Sequence, residues 1–153
     1  MRGIQNIQII KCSIGDANSQ KLESLFQSQW SDFTFVDYND ALPSPLVGLI
    51  DGSVVGGLAY TFFKAPQSKG IALWVNAVFI SREYRGQGIA TKLIQQAMFD
   101  VKALKNLSLY AYTHVPKLYK GLGWSEVEAE AEEDHYVMGV DLFIGSPRMN
   151  LSS

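Results

Sequence analysis

Cys12 is the only cysteine in this 153-residue chain, so no disulfide can form within it, and the sequence fits a reducing compartment. One cysteine rules out a cysteine-based zinc site, and two histidines are too few for a histidine-rich one, so no metal is expected. Basic clusters are also missing. Thirteen basic and 15 acidic side chains leave a net charge of -2, which builds no field to concentrate nucleic acid. No apolar run approaches the roughly 20 residues of a membrane span. Residues 1–13 lack the apolar core and cleavage site of a signal peptide. The expectation is a cytoplasmic protein that binds neither nucleic acid nor membrane.

Hydrophobic residues make up 47% and charged residues 18%, a globular balance at the size of one ordinary domain. We expect a single domain over 1–153, with its core at about 4–142 and a loosely held tail at 144–153. Loose alternation at 4–12 predicts a strand, and helical spacing of Leu22, Leu25 and Phe26 predicts a helix over 16–30, capped by Asp16 or Asn18. Residues 31–45 read as an ordered loop or short helix. Strands at 46–50 and 53–63 flank Asp51-Gly52, a pair suited to a two-residue hairpin turn. Residues 71–80 form a long strand with Leu73, Val75, Ala77 and Phe79 on one face. Residues 87–105 carry a one-sided apolar stripe and form the best helix. A strand at 107–112, a short helix at 116–122 ended by Gly121 or Gly123, and strands at 124–127 and 136–143 complete the chain. The order predicts a mixed α/β (α+β) sheet rather than a doubly wound one.

The junction between the long strand and the long helix carries the chemistry. It reads Arg85-Gly86-Gln87-Gly88-Ile89-Ala90-Thr91. A helix start leaves backbone N–H groups without partners, and the macrodipole makes that end positive. Gly86 and Gly88 let the backbone bend and an anion approach, and Arg85 adds a cation. Strand, glycine loop and helix together make a pyrophosphate cradle. The competing reading is a tight turn and nothing more. A dinucleotide-binding fingerprint requires a third glycine where Thr91 stands, and an acid some 20 residues on that is absent.

The run from Val78 to Ala90 resembles the central motif of the GCN5-related N-acetyltransferase (GNAT) family: Arg85-x-x-Gly88-x-Ala90 satisfies its Gln/Arg-x-x-Gly-x-Gly/Ala pattern. The run Leu118-Tyr119-Lys120-Gly121-Leu122-Gly123-Trp124 is similar to the family's second hallmark, with Leu118 in place of the commoner aromatic. The resemblance covers about residues 4 to 142. It implies the acyl-CoA N-acyltransferase fold: a central, mostly antiparallel sheet, splayed between its fourth and fifth strands and flanked by helices.

The resemblance implies acetyl-CoA as cosubstrate and no metal. The pantetheine arm would lie along Val78, Phe79 and Ile80, with a backbone N–H near Val78 facing the acetyl carbonyl. The pyrophosphate would sit on Arg85, Gly86, Gln87, Gly88, Ile89, Ala90 and Thr91. Tyr119 matches the family's general acid, a phenol of pKa ~10 that protonates the departing thiolate. Packing of the ring, with its hydroxyl bonded to a neighbour, is the rival role. No carboxylate stands on the fourth or fifth strand, where relatives carry a base. Asn76 could hold a deprotonating water, and His114 offers an imidazole, a group that titrates near neutrality. Asp37 and Asp40 could also approach.

Trp30, Phe33, Phe35, Tyr38 and Trp74 are candidates for walls of the acceptor pocket, with core packing as the alternative. Cys12 reads as a buried structural thiol rather than an acyl carrier. The acidic run from Glu126 to Asp134 is a solvated loop or an attractor of a cationic amine. The expected reaction is acetyl transfer to a primary amine by direct attack in a ternary complex. The acceptor stays open between small amines, amino acids, antibiotics, peptide N-termini and lysines. The alternative is a non-catalytic acyl-CoA-binding sensor or interaction module. Homodimers are common in the family.

Overall fold

The computed structural model describes residues 6–105 and 108–142. The expected strand start at Ile4, the position Leu107, the last strand residue Phe143 and the tail 144–153 lie outside the described residues. Seven strands and three α-helices follow in the order β1 (Ile7–Lys11), α1 (Ala17–Gln29), β2 (Leu46–Ile50), β3 (Ser53–Lys64), β4 (Ile71–Ile80), α2 (Ile89–Ala103), β5 (Ser108–Thr113), α3 (Pro116–Lys120), β6 (Ser125–Val127) and β7 (Tyr136–Asp141). The chain divides into two compact units, one of residues 1–61 and 75–97, the other of 62–74 and 98–153. β3, β4 and α2 each contribute to both.

In the first unit the strand order is β1-β2-β3-β4. β1 pairs antiparallel with β2, from Ile7 opposite Ile50 to Lys11 opposite Leu46. β2 and β3 form the hairpin that the sequence predicts, with Asp51 at φ 50° and Gly52 at φ 81° in the turn. Helix α1 starts where its cap says it must. Asp16 accepts from the Ser19 N–H at 2.8 Å and the Ser13 N–H at 2.9 Å. Those N–H bonds hold its carboxyl below the usual carboxylate range. The helix buries Leu22 and Phe26 into a cluster with Cys12, Phe35, Val47, Leu49 and Ala59. Each such large apolar side chain contributes roughly 1.5–3 kcal/mol.

Residues 31–45 contain no helix. Their order comes from side chains instead. Glu23 accepts from the Phe35 N–H at 2.7 Å, and Gln27 donates to the Phe33 carbonyl at 2.8 Å. Tyr38 donates its hydroxyl to the Pro43 carbonyl at 2.8 Å and accepts from the Tyr60 N–H at 3.3 Å. Cys12, immediately after β1, is 3% exposed, and burial, then the nearby Asp16 charge, pushes its thiol up to about 11. It therefore stays protonated and structural.

In the second unit the order is β4-β5-β7-β6, with β5–β7 and β6–β7 antiparallel. β5 buries Leu109, Ala111 and Thr113 and turns Tyr110 and Tyr112 to the opposite face. On β4 the burial departs from the expected alternation. Leu73, Trp74 and Val75 are all buried and Asn76 is exposed, as for a strand covered on both faces. Among the described residues no helix is long and apolar enough to cross a membrane.

Candidate functional site

The glycine loop belongs to the first unit. β4 ends at Ile80, Arg82–Tyr84 form one 3-10 turn, and α2 begins at Ile89, two residues later than the sequence suggests. Gly88 is the residue just outside it, and its carbonyl accepts the helix's first bond, from the Lys92 N–H at 3.1 Å. Gly86 and Gly88 both take left-handed φ values, 80° and 82°. A Cβ at either would meet nothing within 4 Å, so these glycines serve the backbone bend and face open space. Among the described residues no backbone carbonyl accepts a hydrogen bond from the N–H groups of Gly88 to Thr91. An array of unpartnered amides at the positive end of a 15-residue helix suits an anion. The residues expected to hold a diphosphate fit that group.

Arg85 is not free-standing. Its Nε donates to the Ile80 carbonyl at 2.8 Å, and its guanidinium lies 5.4 Å from the centre of the Phe79 ring. It braces the strand end from which the loop departs. Gly56 on β3 braces the same place. A Cβ there would meet the Phe79 carbonyl at 2.5 Å and the Ile80 side chain at 2.8 Å. Just beyond, the Ser81 N–H donates to the Val55 carbonyl at 2.8 Å. In the sequence the only sign of this approach is the glycine pair Gly56-Gly57 inside a strand.

The candidate wall residues divide. Phe33 and Tyr38 pack on the core cluster around Phe26 and Phe35. The Tyr38 hydroxyl is engaged with Pro43 and Tyr60, and burial raises its pKa far above the usual phenol range. Trp30 is 39% exposed and meets Phe79 edge-on at 6.2 Å. Asp37, Asp40 and Asn76 are all exposed.

The second unit holds the other candidates. Tyr119 lies in α3, 4% exposed, its ring edge-on to Trp124 at 4.9 Å. Its carbonyl accepts from both Leu122, at 2.9 Å, and Trp124, at 3.1 Å, across Gly123 at φ 95°. That closure explains the Gly-x-Gly-aromatic spacing: Gly121 caps the helix, and Gly123 supplies the left-handed step that folds Trp124 onto Tyr119. Trp124 in turn donates its indole N–H to Met98 Sδ at 3.3 Å. Burial pushes the Tyr119 phenol up to about 12. It remains a neutral donor across the ordinary pH range, and among the described residues nothing hydrogen-bonds its hydroxyl.

Trp74 is 8% exposed, donates to the Lys64 carbonyl at 3.2 Å, and packs against Phe63 and Tyr110. Further along β5 the same face carries Tyr112. Just past the strand is His114, exposed, its ring 6.0 Å from that of His135. No local motif in the sequence marks His135. Among the described residues no group of three or more His, Cys, Asp or Glu side chains is placed to hold a metal ion.

The chain is similar to many solved structures, among them the following three. One is YhbS, a GNAT family N-acetyltransferase from Escherichia coli in complex with CoA: TM-score 0.71, 14% identity, covering 94% of this chain and 85% of that one. The second is an aminoglycoside 6'-N-acetyltransferase complexed with coenzyme A: TM-score 0.70, 12% identity, covering 94% and 99%. The third is Naa50 from Arabidopsis thaliana with the bisubstrate analogue CoA-Ac-MVNAL: TM-score 0.60, 18% identity, covering 88% and 97%. At these identities the likeness is one of fold, and the fold is the mixed α/β sheet of the acyl-CoA N-acyltransferases. No curated protein matches the sequence. The profile of the Acetyltransferase (GNAT) family matches residues 13–124, most of the chain including both motifs, and the chain belongs to that family.

Proposed function

We propose that this protein, as one cytoplasmic domain spanning 1–153, transfers the acetyl group of acetyl-CoA to a primary amine by direct attack in a ternary complex. The observation that carries the reading is the row of unpartnered amides from Gly88 to Thr91 at the start of α2, beside open space at both Gly86 and Gly88. Relatives of the same fold crystallised with coenzyme A support the cofactor. An aminoglycoside acetyltransferase and a protein bound to a CoA–peptide analogue support an amine acceptor.

Acetyl-CoA supplies a thioester whose carbonyl carbon accepts the amine nitrogen. Gly86, Gln87, Gly88, Ile89, Ala90 and Thr91 bind the diphosphate through main-chain N–H groups. Val78, Phe79 and Ile80 present backbone to the pantetheine arm, and the N–H near Val78 donates to the carbonyl oxygen as it gains charge. Tyr119 donates its phenolic proton to the sulfur as the C–S bond breaks. Its raised pKa keeps that proton in place until then. The ammonium proton passes to an imidazole or to water beside Asn76. Trp30 and Trp74 are the aromatic surfaces nearest in type to an acceptor wall, with Phe33 and Tyr38 supporting them from the core.

Two measurements test this. Titration with acetyl-CoA should raise thermal stability, by roughly 2.7 kcal/mol at 100 times the dissociation constant. A panel of alkylamines, amino acids, aminoglycosides and peptides should then reveal an acceptor through release of free thiol. No thermal shift at saturating cofactor sinks the reading. A shift without thiol release from any amine favours a non-catalytic acyl-CoA-binding module instead.

A further inference from the structure

Arg85 opens the glycine loop. It is exposed, yet its side chain is held. Its Nε donates to the Ile80 carbonyl at 2.8 Å, and its Cζ stands over the Phe79 ring, 5.4 Å from the centre. That distance is within reach of a cation–π contact. Only one of the guanidinium's N–H donors is used in this way. Among the described residues its terminal nitrogens have no partner, so the other donors stay available in a plane that is already set.

The platform beneath that cation is fixed in turn. Gly56 confines the Phe79 backbone, and Trp30 confines its ring, the indole meeting it edge-on at 6.2 Å and 73°. Trp30 closes α1. Its N–H donates to the Phe26 carbonyl at 2.7 Å, and its own carbonyl accepts from the Phe33 N–H at 2.9 Å. Its ring also meets that of fully buried Phe26 edge-on, at 6.1 Å. A line of contacts thus runs from the core through Phe26, Trp30 and Phe79 to Arg85. Every member of it, and the glycine loop itself, belongs to the first unit.

We propose that Trp30 is a positioning residue for the cofactor: through Phe79 it keeps the Arg85 guanidinium in the pose that meets the diphosphate of acetyl-CoA. This rests on the acetyl-CoA reading above and gives Trp30 a role on the cofactor side. The physical basis is preorganisation. An exposed arginine moves among many rotamers, and fixing it on an anion costs entropy. Here folding has already restricted the side chain. Removing the indole frees the Phe79 ring, the ring no longer confines the guanidinium, and the ordering cost returns to the binding step.

The test is calorimetric titration of acetyl-CoA into wild type, Trp30→Phe, Trp30→Ala, Arg85→Ala and the double variant, each shown by its melt to be folded at the titration temperature. Trp30→Ala should weaken binding about 2- to 5-fold, the scale of one cation–π contact. Trp30→Phe keeps an aromatic edge and should weaken it less. In the Arg85→Ala background Trp30→Ala should change nothing further, because its effect runs through the guanidinium. Trp30→Leu repeats the comparison if Trp30→Ala does not fold. Undiminished affinity on loss of the indole, or equal losses with and without Arg85, overturns the proposal while wild-type binding upholds the cofactor reading. A wild type that does not bind acetyl-CoA overturns both. Independently of ligand, nitrogen-15 spectra of the free protein should show the Arg85 Nε–H protected from solvent exchange and shifted by the Phe79 ring. Loss of the indole should remove both features, and their persistence overturns the assignment.

Discussion

Gly56 and Phe79 approach so closely that a Cβ on Gly56 would lie 2.5 Å from the Phe79 carbonyl oxygen. Backbone cannot yield there as a flexible side chain would. The contact sets the end of β4, the last regular residues before the glycine loop. Gly56→Ala should destabilise the protein by about 1–3 kcal/mol, the range for forcing a methyl into a filled site. It should also weaken acetyl-CoA binding, because the loop departs from the displaced strand. Denaturant melts and calorimetric titration check both. An alanine variant as stable as wild type would contradict the close approach.

Gly88 behaves differently, because space beside it is open and only its φ of 82° is demanding. Gly88→Ala should cost about 1–2 kcal/mol through the left-handed backbone alone. Gly88→Asn should cost less, since asparagine tolerates that region. If both variants lose equal stability, the cost is steric and the backbone account fails. Cofactor affinity should fall with each.

Tyr119→Phe should retain acetyl-CoA binding and lower kcat by about 100-fold or more. Burial raises the phenol to about 12, so the folded state holds this proton more tightly than the unfolded chain. The stability linked to it is complete below pH ~10 and is lost as pH rises through the folded value. Wild type should therefore lose more stability than the Phe variant on going from neutral to strongly alkaline pH, as melts across that range will show.

Asp16 presents the opposite sign. The N–H groups of Ser13 and Ser19 lower its pKa, so its contribution is complete above the ordinary carboxylate range and disappears as pH falls through the lowered value. Asp16→Ala should cost about 1 kcal/mol at neutral pH and much less in acid. Asp16→Asn should keep most of the cap and remove the pH dependence. Equal losses for Ala at both pH values would rule out the charged cap.

What the sequence determined by itself was whatever depends on neighbours in the chain. Asp51-Gly52 fixes a two-residue turn, Asp16 starts α1, and Gly86 and Gly88 bend the chain into α2 because each acts through its own backbone angles or through groups three residues away. The spacing from Tyr119 to Trp124 is equally local, a helix end closed by one left-handed glycine. Only the tertiary structure decided which distant groups meet. In the sequence Tyr38 reads equally as an aromatic wall or as core, and only the fold brings its hydroxyl between Pro43 and Tyr60. Gly56 gains its role from a carbonyl 23 residues on, and the His135 ring finds its stacking partner in Tyr112, 23 residues back. Those partners are chosen by strand register, and register follows from burial summed over whole faces, a quantity that no short stretch of chain contains.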